Sequence, residues 1–180
     1  ILGTSFVLAT GGTSHPETGS TGDAYPWLRA MGHTVIVPKP VLVPLMIRDA
    51  WVRGLQGITL TDIKLSIVVD KVKISSKKGK ILFTHFGVTG PTVLNMSKQV
   101  SDLIADGKKV QVHIDILPAV DHGQLNQRLQ DIFLEHKSKK IKNTLDEVIS
   151  SSVVSIILQH ASIPEDTVCS QITREQRMKL

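Results

Sequence analysis

Several residue types and motifs are scarce in this sequence, and each absence excludes a class of function. Cys169 is the one cysteine, so an internal disulfide is impossible and a reducing cytoplasm is the expected location. Aromatic residues make up 4% of the 180 residues, which argues against nucleic-acid binding by base stacking. No run of about 18 apolar residues occurs, so neither a transmembrane helix nor a membrane partner is expected. The histidines are scattered without zinc-binding spacing, so no metal site is predicted.

The composition is that of an ordinary globular protein, with 41% apolar and 21% charged residues. The net charge of +5 includes two lysine-rich segments, residues 71–80 and residues 137–142. Most of these lysines are interpreted as solvated surface, and attraction of an anionic partner is the alternative. A nucleic-acid partner is therefore not expected.

The first part of the chain resembles a fragment of a parallel α/β sheet. Residues 4–10 are almost continuously apolar, which predicts a strand buried on both faces. Residues 13–22 are rich in Gly, Ser, Thr and Pro and predict a loop, and residues 23–31 predict a short helix. The β-branched residues 34–37 begin a pattern that is typical of strands.

The middle of the chain predicts a small antiparallel sheet or barrel. Apolar and polar residues alternate over residues 62–69, and a second strand follows. Residues 77–80 are predicted to form a turn before a third strand. Pro91 marks the start of a helix and Gly107 its end, and residues 109–117 alternate again as a strand.

The last part of the chain has helical periodicity from Asp121 onward. Thr173 and Gln176 form a capping-box pattern at the start of a final helix. The apolar side chains on one face of the first helix are Leu125, Leu129, Ile132 and Phe133. Further helices are predicted over residues 141–149, over residues 153–160 and from Pro164.

The predicted fold class is α+β, with a small antiparallel β-barrel-like subdomain and a helical subdomain. The chain starts without Met and stops within a helix, so both ends are expected to be cut from a longer protein. The predicted parts are a strand, loop and helix over residues 1–32, a β subdomain with one helix over 33–118, a helical subdomain over 119–172 and a truncated helix over 173–180.

The Gly-rich stretch of residues 9–25 is the more informative candidate site. A predicted buried strand is followed by two glycines, a polar loop and the start of a helix. Free backbone N–H groups in such a loop suit a phosphate or the polar edge of a cofactor. The stretch is neither a Walker A loop nor a GxGxxG motif. A tight structural loop is the alternative interpretation.

A second candidate site is the stretch of residues 82–94. A strand ends at Thr84 and His85, two glycines follow, and a helix opens at Pro91. His85 is a candidate acid or base because histidine titrates near neutral pH. A histidine that is hydrogen-bonded to its own loop is the alternative. Cys169 is more typical of a small buried residue than of a nucleophile.

Together, the two stretches resemble the BaiN/YhiN-like NAD(P)/FAD-dependent oxidoreductases, some of which are described as aminoacetone-oxidase-like flavoproteins. The matching segments stand in family order and cover essentially the whole chain. Ala24 departs from the family pattern, which usually has a second glycine there. The matches are residues 9–12, Ser14, Pro16, residues 18–23, Tyr25, and residues 32–35, 42–45, 55–60 and 82–91.

The resemblance implies a Rossmann-like FAD domain that is split by an insertion, and this chain would be mainly that insertion. FAD is expected in the full-length parent rather than on this chain, with NAD(P)H as the electron donor. Thr84 and His85 would face the active-site cleft as catalytic residues. The residues implied to lie beside the cofactor are Thr10, Gly11, Gly12, Thr18, Gly19, Ser20, Thr21, Gly22 and Asp23.

The expected function is therefore that of the substrate-side insertion domain of an FAD-dependent oxidoreductase, covering the flavin and shaping the substrate pocket. The isolated chain would be inactive. Its partners would be the rest of the parent flavoprotein and a small-molecule substrate. The alternative is a macromolecule-binding or oligomerisation module with basic surface patches.

Overall fold

The computed structural model describes residues 2–180, and the chain divides into two units, Ile1–Pro40 and Val41–Leu180. In the first unit, a 3-10 turn at Pro16–Thr18 precedes helix α1, Ala24–Ala30. The short helix predicted over residues 23–31 is thus confirmed to within a residue at each end. The bounds of the four predicted parts stay predictions.

The two strands predicted in the first unit are wrong. Residues 4–10 and 34–37 form no strand in the part of the chain that the structure describes. Their apolar side chains lie in solvent, with Phe6 70% and Val7 91% exposed. A strand needs a neighbour to pair its backbone N–H and C=O groups, and an apolar sequence does not by itself supply one.

The second unit contains a five-stranded, fully antiparallel sheet with the order β1-β4-β3-β2-β5. The sheet curls into a half-barrel and packs with helices, so the predicted α+β class with a barrel-like subdomain is confirmed. The strands are β1 Leu45–Met46, β2 Thr59–Val69, β3 Val72–Phe83, β4 Gly87–Thr89 and β5 Val110–Asp115.

The alternation in β2 gives the sheet one core face and one solvent-side face. Ile63, Leu65 and Ile67 are at most 1% exposed and pack in the first core. Helix α2, Pro91–Ala105, covers that face with Val93 among its buried residues. The helix begins at Pro91, as predicted, and burial of these side chains supplies the main driving force for docking it on the sheet.

The turn predicted at residues 77–80 is wrong, because β3 runs through it without interruption. Gly79 lies opposite Ile63 of β2 and beneath α2, where a Cβ would overlap the Thr92 hydroxyl. The glycine therefore permits close helix packing rather than a turn. The chain reverses instead at Asp70 and Lys71, whose φ angles of 49° and 67° suit a two-residue hairpin.

The helical part has its own core around Leu129, Phe133 and Leu158. Its helices are α3 His122–Glu135, α4 Ser151–Ala161 and α5 Arg174–Arg177. The Asp121 carboxylate caps α3 by accepting the Gln124 N–H at 2.9 Å, and the capping box predicted at the start of α5 is present.

The helix predicted over residues 141–149 consists of two separate 3-10 turns, Ile141–Asn143 and Leu145–Glu147. No helix begins at Pro164. Both departures have the same cause, because the two segments pair with each other. The Ile141 N–H donates to the Thr167 carbonyl at 2.8 Å, next to a β-bridge between Lys140 and Val168. Backbone groups used in that pairing are not available to a helix.

Among the described residues, no helix has the length and apolar character needed to cross a membrane.

Candidate functional site

The Gly-rich loop lies in the first unit and packs on itself. Gly11 has a φ of +74°, and a Cβ there would lie 3.0 Å from the Ser20 hydroxyl oxygen. A Cβ at Gly12 would lie 3.2 Å from the Tyr25 hydroxyl oxygen, and one at Gly22 would lie 3.2 Å from the same ring. Contacts within the loop, and the positive φ angles of Gly11 and Gly22, therefore favour glycine at these positions.

The polar side chains of the loop also bond locally. The Thr18 hydroxyl donates to the His15 carbonyl at 2.8 Å, and the Thr21 hydroxyl donates to the Asp23 carboxylate at 2.6 Å. Asp23 precedes α1 but accepts no N–H from it. A carboxylate at this position repels an incoming diphosphate, so the loop suits an uncharged, hydroxyl-bearing part of a cofactor better. The cofactor contacts of Thr10, Gly19 and the other loop residues stay predictions.

Four residues of the second candidate stretch, residues 82–94, have a role in the fold itself. The Thr84 N–H donates to the Gly87 carbonyl at 2.8 Å, and the Thr84 hydroxyl accepts the Gly87 N–H at 3.1 Å, which closes a tight turn between β3 and β4. A Cβ at Gly87 would overlap the Leu45 carbonyl of β1. Gly90, with a φ of +106°, precedes α2, and Pro91 opens it.

The His85 side chain has no comparable role in the fold. Its side chain is exposed at the tip of this turn, and its ring meets Phe86 edge-on with ring centroids 4.8 Å apart. Within residues 2–180 no hydrogen bond to its imidazole is formed, so the alternative of a histidine bonded to its own loop is wrong. An exposed imidazole at the tip of a turn can contact a molecule outside the chain. Its catalytic role, and that of Thr84, stays a prediction.

A third candidate region was not predicted. Strand pairing places three lysines of β2, β3 and their hairpin around a shallow groove of about 390 Å³ on the sheet face opposite α2, and a fourth, Lys78, lies opposite Lys64. Ser66 and Val68 of β2 form its floor and are only 8% and 5% exposed. We call this surface the lysine face; its groove is lined by Lys64, Ser66, Val68, Lys71, Lys73, Gln111, His113 and Asp115, and Lys78 and Ser76 lie beside the groove on β3.

The signal for the lysine face was partly present in the sequence. The alternation of β2 put Lys64 and Ser66 on one side of the strand. The register added the rest, because Lys64 pairs with Lys78 of β3 and Ser66 pairs with His113 of β5. Strand pairing between segments about 50 residues apart does not follow from local periodicity.

No group of three or more metal-ligating side chains occurs within residues 2–180. Cys169 is buried, and its thiol lies 3.4 Å from the Thr144 hydroxyl. The interpretation of Cys169 as a small buried residue is confirmed.

A curled antiparallel sheet, a helical part with its own core and an exposed histidine turn define an α+β protein of the barrel-plus-helices type. Residues 39–180 match the family described as "HI0933-like protein barrel and H2TH domain", and this chain belongs to that family. The resemblance to the BaiN/YhiN-like proteins is confirmed as well.

Three curated relatives show how this chain compares with longer proteins. A ribosomal RNA dihydrouridine synthase of Escherichia coli is 29% identical over 172 residues, which is 96% of this chain and 40% of the relative. The enzyme of the same name in Haemophilus influenzae is 27% identical over 171 residues, 92% of this chain and 38% of the relative. A 3-dehydro-bile acid delta(4,6)-reductase of Clostridium scindens is 28% identical over 121 residues, 67% of this chain and 29% of the relative. The chain spans at most two fifths of the length of these relatives.

Proposed function

We propose that this chain is the substrate-side part of a flavin-dependent oxidoreductase that adds hydrogen to a carbon–carbon double bond. The observation that carries the proposal is the family match over residues 39–180, together with the names of the three relatives. Two of these names describe a dihydro product and one describes a reductase. Conversion of a uridine to a dihydrouridine adds two hydrogens to the base.

FAD, reduced by NAD(P)H and held mainly by the rest of the parent, would supply the hydride. The part of this chain is to position the substrate and to move a proton. His85 suits the second task, because its ring is exposed on a turn that the Thr84 hydroxyl and the close Gly87–Leu45 contact hold in place. A positioned acid or base typically contributes a factor of about 10²–10⁴ to the rate.

The test is made in the parent enzyme that contains this chain. His85→Ala is expected to lower kcat by about 10²-fold or more, while the visible absorbance of the bound flavin stays unchanged. His122→Ala, which removes another exposed imidazole at the start of α3, is the matched control and should leave kcat unchanged. Unchanged turnover of His85→Ala would remove His85 from the mechanism.

A second experiment tests the division of labour between this chain and its parent. The purified 180-residue chain is titrated with FAD and the flavin fluorescence is followed. No quenching, together with a cooperative thermal melt, is the expected result. Tight binding would mean that the Gly-rich loop holds much more of the cofactor than its self-contained packing indicates.

A second candidate function concerns the substrate, which we propose to be a base within RNA rather than a free small molecule. The two relatives that align with more than nine tenths of this chain are named for ribosomal RNA, whereas the bile-acid enzyme aligns with 67% of it. The scarcity of aromatics opposes stacking on bases but not contacts to phosphates. RNA binding that falls steeply with salt would support this substrate class, and no binding at low salt would favour the small molecule.

A further inference from the structure

We propose that the lysine face is the surface that holds the phosphate backbone of an RNA strand. The inference rests on the proposal that the substrate is RNA, and it identifies the surface of this chain that binds the RNA. It is carried by three features of the second unit, namely the spacing of the lysines, the absence of charge partners for them and the groove between them.

The lysines stand in two pairs at the ends of the groove. Lys64 and Lys78 lie directly opposite each other on β2 and β3, and Lys73 lies opposite Val68, four residues further along β2. Lys71 of the hairpin borders the same end of the groove as Lys73. At about 3.3 Å per residue, the two pairs are about 13 Å apart. At that separation the two pairs can contact different phosphates of one strand.

These four lysines have no ion-pair partner in the part of the chain that the structure describes. Asp115 of β5 also lines the groove and lies opposite Lys64, but its carboxylate accepts the Leu117 N–H at 3.1 Å and forms no ion pair within residues 2–180. Asp70 adds one exposed negative charge at the hairpin. The lysines therefore outnumber the carboxylates on and beside this face by two to one.

The opposition of Lys64 and Lys78 is unfavourable in the free protein, and Asp115 on the other side of Lys64 offsets part of that repulsion. Like charges that face each other across an antiparallel pair destabilise the sheet. A phosphate between the two ammonium groups would replace that repulsion by attraction, so the pair favours an anion-bound state.

The groove between the two lysine pairs offers further hydrogen-bond donors. Ser66 and Ser76 face each other across β2 and β3, and Gln111 and His113 of β5 line the opposite side. Hydroxyl, amide and imidazole groups commonly contact phosphates and sugars. No Phe, Tyr or Trp side chain lines the groove, so the surface is suited to positioning the backbone rather than to reading the base sequence.

The test compares two double variants of the 180-residue chain that lose the same charge. Lys73→Gln with Lys78→Gln removes one lysine from each end of the lysine face. Lys137→Gln with Lys139→Gln removes two exposed lysines from the helical part. Binding of a fluorescein-labelled single-stranded RNA oligonucleotide is followed by fluorescence anisotropy over a series of KCl concentrations, and thermal melts check that each variant is folded.

We expect the variant of the lysine face to bind at least about tenfold more weakly at low salt. The slope of log K against log salt should fall in magnitude by about 1.4, since each lost phosphate contact on a single strand removes about 0.7. The helical variant should retain the affinity and slope of the unmodified chain.

Each other outcome overturns a different statement. Equal weakening of both variants would mean that total charge, not the lysine face, governs binding. Unchanged binding of the first variant would place the RNA elsewhere while leaving RNA as the substrate class. No binding by the unmodified chain would remove the RNA proposal itself. Equally strong, equally lysine-dependent binding to phosphatidylserine vesicles would make the face a general polyanion surface and overturn its assignment to RNA.

Discussion

Two lysine-rich segments that look alike in the sequence have opposite surroundings in the fold. In residues 137–142, Lys140 and Lys142 both form ion pairs with Asp166, at 2.9 and 3.0 Å, and the backbone of Ile141 pairs with Thr167. Residues 71–80 run along β3, and none of their lysines forms an ion pair in the described part of the chain.

The difference shows that a run of lysines in the sequence does not by itself indicate one structural role. In the helical part, Lys140 and Lys142 help to fasten one connecting segment to another. On the sheet, the register places like charges side by side and leaves their charge available to a partner. Lysines that neither stabilise the fold nor find partners within it are the better candidates for a binding function.

The largest expected effect is on stability. Each of the two lysine-rich segments contains one isoleucine, and the two isoleucines differ in burial. Ile141 is fully buried in the second core, whereas Ile74 is 43% exposed. Ile141→Ala should lower the free energy of unfolding by about 3 kcal/mol because it leaves a cavity. Ile74→Ala, the matched control, should cost less than about 1 kcal/mol. Urea unfolding measures both, and similar losses would contradict the comparison.

The next effect concerns Gly79, which interrupts the lysines of β3. Gly79→Ala should cost about 2 kcal/mol, because the added Cβ overlaps the Thr92 hydroxyl of α2. Adding Thr92→Ala should recover part of that loss, since it removes the overlapping oxygen. Gly54→Ala is the control, because its Cβ would lie 3.7 Å from Ile156, an ordinary contact. Additive losses in the double-mutant cycle would show that α2 does not press on Gly79.

The smallest effect is the pH dependence of the Asp166 ion pairs. Hydrogen bonds from Lys140 and Lys142, followed by their charges, lower the pKa of the Asp166 carboxyl from its ordinary value of 3.8. A lowered pKa in the folded state means that the contribution is complete above 3.8 and disappears as the pH falls through the lowered value.

Asp166→Asn should therefore be slightly less stable than the unmodified chain at neutral pH, and the two should converge on acidification. Thermal melts at neutral and acid pH measure the difference, and high salt should also shrink it because both ion pairs are exposed. A difference that grows as the pH falls would contradict the assignment of these ion pairs.

Much of the fold follows from local sequence patterns. The alternation in β2, the Pro91 start of α2 and the capping box at Thr173 were all predicted and are present. The predictions that failed concern segments whose structure depends on pairing with a distant part of the chain. Residues 4–10 are apolar but unpaired, and residues 141–149 give up a helix in order to pair with a distant segment.

The candidate site shows the same division. The sequence singled out His85, and the structure adds that the neighbouring Thr84 and Gly87 serve the turn while His85 does not. The lysine face was missed because its members come from β2, β3 and β5, and only their register brings them to one surface.

The sequence by itself determined the family, the α+β class, the amphipathic faces and most helix starts, because periodicity and capping depend on neighbouring residues. The tertiary structure alone decided which apolar segments become strands and which lysines form ion pairs with a carboxylate. Both outcomes depend on groups that are distant in the chain and close in space, and local patterns do not encode that proximity.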